Sequence, residues 1–169
     1  MDLLMECARS FEQLLLYKYN FTIGRKGKSH QFVLEFDKSD FHHLVGLHKM
    51  NVIAQSVYYE DMKMRLKPLI HLEEFLDTNN LIFRYNEKVH KFSVIKADYL
   101  LESQYQDLPV YLFLGQRNNS GVQMCRTFFP KGLKDYTVGQ PQYTLLKKEK
   151  VHVYSGNVEV QYDRLTPKE

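Results

Sequence analysis

The chain has 169 residues, 44% of them hydrophobic and 25% charged, a balance that excludes wholesale disorder and fits one folded domain over 1–169. No apolar run nears the ~18 residues of a membrane span and the first residues form no basic leader, so a cytoplasmic protein with no membrane partner is expected. Net charge is only +3, but residues 84–150 hold 11 Lys and Arg against 6 Asp and Glu, which suits a polyanion.

Residues 2–18 read as a helix, with Leu4, Ala8, Phe11 and Leu15 at three- and four-residue spacing and Asp2 at its start. The period then drops to two. Phe21 and Ile23, then Phe32, Leu34 and Phe36, predict a hairpin whose tip, Gly24 to Ser29, carries Arg25, Lys26 and Lys28. Those three cations are candidate phosphate contacts. Asp37 or Ser39 starts a second helix, on which Phe41, Leu44, Val45 and His48 share one face and His43 looks the other way. Residues 55–78 read as more helix with a short break near Lys67, forced by Pro68, an apolar stripe of Leu69, Leu72, Phe75 and Leu76, and a stop at Asn79–Asn80.

The remainder predicts strands. Residues 81–85 and 92–95 flank a polar turn at Asn86–Lys88. Residues 111–114 and 122–129 flank a turn at Arg117–Gly121, residues 143–154 form a long strand, and Gly156–Asn157 turns it into a last hairpin over about 154–164. Helices first and strands later predict an α+β fold with N-terminal helices packed on a mainly antiparallel sheet. The 12 Tyr and 11 Phe, with no Trp, suit that sheet and could also stack on bases.

The sequence holds no glycine-rich phosphate loop, no G-x-S-x-G elbow, and no His pair at helical metal spacing, since His43 and His48 are five apart. Cys7 and Cys125 are too few for a disulfide scaffold and both fall on apolar positions. No metal and no cofactor are expected. What remains is His, Lys, Arg, Thr and Tyr, the groups of a metal-free ribonuclease. RNA brings its own nucleophile, the 2′-OH. The protein moves protons with a histidine and neutralises the phosphate with Lys or Arg.

Phe41-His42-His43-Leu44-Val45-Gly46-Leu47-His48-Lys49 resembles the F-x-H-L-x-G-L-H-K signature of the phage and mobile-element nucleases grouped with barnase, EndoU, colicin ribonucleases and RelE. Residues 96–101, 111–114, 126–130, 135–140 and 143–150 resemble the same family, over roughly 11–153 in all. The stretch Asn51–Lys67 is shorter than the family pattern, and the hairpin at 154–164 is an addition to it. The resemblance implies a barnase–EndoU–colicin–RelE-like fold and metal-independent RNA cleavage in a prophage or mobile element. The target would be host transfer RNA for a toxin, or guide RNA, alone or in a ribonucleoprotein complex, for a counter-defence protein of the anti-CRISPR kind.

Carried over position by position, the resemblance implies His43 as the proton-transfer residue and Lys96 and Arg126 as phosphate contacts. Thr127 would orient the phosphate, and Gln140 and Tyr143 would make polar or stacking contacts with the nucleic acid. His48 reads as structural. Strand alternation would send Arg126 and Thr127 to opposite faces, so only one of them would reach a given cleft. Two rival readings are a non-catalytic protein that blocks an RNA–protein complex, and a structural module using its Tyr/Phe surface as a dimer face.

Overall fold

The computed structural model describes residues 2–45, 63–78, 80–90 and 93–167. Helix α1 spans Leu3–Leu14, and the Oδ1 of Asp2 caps it by accepting from Leu4 N at 3.2 Å. It ends four residues earlier than expected. Tyr17 already belongs to β1, because Tyr17, Tyr19, Phe21 and Ile23 alternate and pair with a later strand from Tyr17 onward. Strands β1 (Tyr17–Arg25) and β2 (Lys28–Leu34) form the expected hairpin. Lys26 and Gly27 at its tip have φ of 54° and 78°, the positive pair that a two-residue turn of type I′ needs.

Helix α2 (Asp40–Val45) follows, with Leu44 and Val45 buried and His43 exposed. Its expected start is an Asp37 turn, in which the Asp37 carboxylate accepts from Ser39 N at 2.9 Å and Ser39 Oγ at 2.8 Å. His48 and the shorter stretch up to residue 62 lie outside the described residues. Residues 63–69 form helix α3, and α4 spans Leu72–Asp77. The break falls at Ile70–His71, three residues past the expected Lys67, and Leu69, Leu72, Phe75 and Leu76 are all buried as the stripe predicts.

The strands that follow are β3 (Leu81–Arg84), β4 (Tyr99–Tyr105), β5 (Leu108–Gln116), β6 (Val122–Pro130), β7 (Gln142–His152) and β8 (Val158–Asp163). Two expectations fail. The segment 93–95 is not a strand, and β4 was not foreseen. Its three consecutive apolar residues, Tyr99, Leu100 and Leu101, show no alternation because both faces of the strand are buried.

The sheet order is β1-β2-β6-β5-β4-β3-β7-β8, and β1 also pairs with β7, so seven strands close into a barrel. This corrects the picture of a simple sheet with helices on it. Every pairing is antiparallel except β2–β6, which is parallel and short: Val33 opposite Val122 and Leu34 opposite Gln123. The β3–β7 seam is equally short, and β8 takes the rest of that edge of β7.

The helices pack on the inner side. Phe11, Leu14, Leu44, Leu69 and Leu76 join Phe21, Phe32, Tyr99, Leu112 and Phe128 in one core, in which Phe32 stacks on Phe21 at 4.7 Å and on Tyr99 at 4.3 Å. Both cysteines lie there. Burial pushes the Cys7 thiol up to about 12 and the Cys125 thiol upward as well, which keeps them protonated and inert. A second cluster, Phe83, Tyr85, Leu100, Tyr111 and Phe113, covers the outer face of β3–β6.

Two lysines also point inward. Lys148 is fully buried and donates to Leu76 O at 2.6 Å and to Thr78 O, the last carbonyls of α4. Lys150 donates to Glu73 at 2.9 Å and Asp77 at 3.0 Å, and Tyr19 donates to Asp77 at 2.7 Å. Burial alone would raise Asp77. The bonds from Tyr19, Gln161 and Lys150 outweigh it and hold the carboxyl below its ordinary range. This network fastens α4 to β1 and β7.

Candidate functional site

The β5–β6 ladder decides where Arg126 and Thr127 point. Leu114 pairs with Cys125 and Phe113 with Thr127, so Arg126 is one residue more than β5 can match. That is a β-bulge. Cys125 and Phe128 face the inner core, while Arg126 is exposed and Thr127, opposite the outward Phe113, is half-buried. Simple alternation would have separated the two side chains. The bulge instead sets both on the outer face, which corrects the sequence expectation.

Arg126 is held there by what lies beneath it. A Cβ on Gly115 would stand 2.6 Å from Arg126 Nε and 3.0 Å from its Cγ, so only glycine lets the stem lie flat across β5. The Nη2 donates to Gln116 O at 2.8 Å. That bond fixes the plane of the guanidinium and leaves its other donors for an anion.

Lys96 lies two residues before a backbone joint to the end of β5. Asp98 N donates to Leu114 O at 2.7 Å, and Tyr85 N donates to Asp98 O at 2.8 Å. The chain just before Asp98 is thereby laid beside Gly115, with Ala97 and Ile95 packed on the outer aromatic cluster and Lys96 exposed. Lys96 lines a groove of about 350 Å³ together with Glu87, Lys88, His90, Ser93, Val94 and Ile95.

His90 was missed by the sequence reading, although it is the one histidine in the basic stretch 84–150. Its ring stacks on Tyr85 at 6.3 Å and lies 5.3 Å from Tyr136. Its Nε2 is 3.1 Å from Tyr136 O. A carbonyl only accepts, so the proton of a neutral ring sits on Nε2 and the Nδ1 lone pair is left available. Burial raises the Tyr85 phenol beside it, which keeps that stacking partner neutral.

His43 lies on α2, which an ion pair of its neighbour Asp40 ties to the β5–β6 turn. Arg117, in the β5–β6 turn, grips the fully buried Asp40 with Nη1–Oδ1 at 3.0 Å and Nη2–Oδ2 at 2.6 Å. Asp40 also accepts from Asp37 N at 2.9 Å. The Asp40 bond raises the Arg117 pKa further. This pair seats α2 on β6. The buried face of α2 joins the inner core, however, whereas Arg126 and Thr127 stand on the outer face. The structure sets Arg126 and Thr127 together on the outer face of β6, places Lys96 two residues before the Asp98–Leu114 joint in a groove whose lining includes neither of them, and leaves His43 exposed on α2.

The other predicted contacts separate. Arg25, Lys26 and Lys28 are exposed and line a second groove, of about 400 Å³. Gln140 is buried. Its Oε1 accepts from Asn86 N at 2.7 Å and its Nε2 donates to Asn86 O at 3.1 Å, so its amide clamps two loops together rather than facing a ligand. Tyr143 is half-buried against the inner core with its ring 5.8 Å from His30. Among the described residues no three His, Cys, Asp or Glu side chains cluster as a metal site requires, and no helix is long and apolar enough to cross a membrane.

The chain matches the phage-Barnase-EndoU-ColicinE5/D-RelE-like nuclease 4 family over residues 3–165. It belongs to that family, and the match takes in the C-terminal hairpin. No curated protein and no solved structure gives a significant match. A nuclease family implies a nucleic-acid substrate, which agrees in kind with the exposed Arg126 on β6.

Proposed function

We propose that this member of the phage nuclease family is an endoribonuclease that works by 2′-OH attack without a metal ion. The observation that carries the reading is the bulge at Arg126, which presents a guanidinium and a hydroxyl on one face of β6. In the reaction the 2′-oxygen attacks the adjacent phosphorus and the P–O5′ bond breaks. The products are a 2′,3′-cyclic phosphate and a 5′-hydroxyl. Arg126 and Lys96 offset the charge that grows on the non-bridging oxygens, and Thr127 donates its hydroxyl to one of them. The family signature assigns the proton transfer from the 2′-oxygen to the leaving 5′-oxygen to His43, whose exposed place on α2 requires the RNA strand to reach there from the outer face. His90, fixed between Tyr85 and Tyr136, forms an aromatic wall on which the neighbouring base can rest.

The cellular reading is that of a prophage or mobile-element protein directed at host transfer RNA or at a defence system's guide RNA. The test is incubation of the purified protein with total RNA and with guide-loaded nuclease complexes, with and without EDTA. Cleavage that survives EDTA and leaves cyclic-phosphate ends is expected. Loss of cleavage on chelation, restored by magnesium, refutes the metal-free route. Tight binding with no cleavage of any substrate replaces it with the blocking reading.

A further inference from the structure

The groove at the β1–β2 tip is built from two distant parts of the chain. Arg25, Lys26 and Lys28 come from the hairpin. Arg164 comes from the residue just past β8. Its place is set by the backbone, since Arg164 N donates to Leu146 O at 2.9 Å, and Leu146 lies under the hairpin so closely that a Cβ on Gly24 would sit 2.8 Å from its Cδ1. The other lining residues are Gly24, Gly27, Ser29, Thr144 and Leu146, so among the described residues no carboxylate lines the groove. The nearby Asp163 is turned to its own loop, where it accepts from Thr166 Oγ1 at 2.6 Å and Leu165 N at 2.9 Å. Among the described residues none of the four cations is engaged in an ion pair.

The turn itself adds a second observation. The first position of a type I′ turn has positive φ and favours Asn, Asp or Gly. Here it is Lys26, at φ 54°. A lysine is a poor choice for the turn and a good one for an anion. Local conformation that the sequence tolerates against preference concentrates where it serves binding.

We infer that Arg25, Lys26, Lys28 and Arg164 form a phosphate-tracking site for the RNA backbone away from the β5–β6 cleavage face. This rests on the nuclease reading for the identity of the polyanion. The site binds consecutive phosphates without reading bases, so it favours long substrates over short ones. The C-terminal hairpin, which delivers Arg164, is thereby part of the binding surface.

The test uses equilibrium binding, which is independent of catalysis. Fluorescein-labelled 2′-O-methyl RNAs of 4 and 20 nucleotides, which lack the attacking hydroxyl, are titrated against the full chain by anisotropy at several salt concentrations. Wild type should bind the 20-mer far more tightly than the 4-mer. The variant Arg25→Ala/Lys26→Ala/Lys28→Ala should bind the 20-mer at least about tenfold more weakly, with a salt slope smaller by roughly three, and Arg164→Ala should lower the slope by about one. Lys26→Asn separates binding from folding. It should raise the melting temperature by relieving the turn, and weaken the 20-mer. Affinities within twofold of wild type in both alanine variants, or an unchanged salt slope, overturn the site. A wild-type protein that cleaves nothing but shows these losses refutes the nuclease reading and leaves the site standing.

Discussion

The Asp40–Arg117 pair offers the most discriminating test of how the site is supported. Asp40 is wholly buried, and its carboxylate receives two bonds from Arg117 and one from Asp37 N. Arg117→Met removes the one cation that, among the described residues, pairs with this buried carboxylate. Leaving one member of a buried pair uncompensated costs about 3–5 kcal/mol. Asp40→Asn should cost less, about 1.5–3 kcal/mol, because the Arg117 side chain is 25% exposed and can turn to solvent, while the amide still accepts from Asp37 N. The double variant buries no charge at all, so its cost should fall short of the sum of the singles by at least about 1.5 kcal/mol. Urea unfolding at pH 7 with linear extrapolation measures all four corners of the cycle. A cost below about 1 kcal/mol for Arg117→Met, or additivity within about 0.5 kcal/mol, would refute the reasoning. Since the pair seats α2, the same variants should blur the position of His43 and lower any cleavage per folded molecule.

Gly115→Ala should leave the fold nearly intact, within about 1 kcal/mol, because the backbone there needs no positive φ, yet it should dislodge Arg126 and weaken phosphate binding; normal binding would show that the flat arginine is not used. His43→Ala should reduce RNA cleavage by about 10²- to 10⁴-fold in single-turnover assays, beside a thermal melt to count folded molecules, and undiminished cleavage would remove His43 from the reaction. Burial pushes Lys148 down to about 8, below the ordinary lysine value, so between pH 8 and 10 the unfolded chain binds more protons than the folded one. Stability should therefore gain from Lys148 as pH rises through that window. Lys148→Met should abolish the gain, which chemical denaturation at pH 7.5 and 9.5 would show, and an unchanged pH dependence would mean that the ammonium is well solvated.

Much of this molecule is legible in the order of its residues. Local signals suffice where local geometry is the cause: the hairpin with its tip inside Gly24–Ser29, the helix start at Asp37 or Ser39, the stripe from Leu69 to Leu76, and the run from β5 to β8. Cys7 and Cys125 were core positions by pattern and are core positions in the fold. The signature around His43 led to a nuclease family, and the chain belongs to that family over residues 3–165.

What the order of residues could not give depends on partners far along the chain. β4 shows no alternation because helices bury one face and loops the other. Closure of the barrel rests on two short seams, Val33–Val122 and Ile82–Tyr143, which no local pattern announces. Inward lysines at 148 and 150 read as an ordinary basic strand until α4 brings carbonyls and carboxylates to them. The bulge at Arg126 is the clearest case. Whether two neighbouring side chains share a face is set by the register against β5, and register is a property of the pair of strands. For the same reason Arg164 joins the hairpin tip only through Leu146, across a ladder that the folded sheet alone creates.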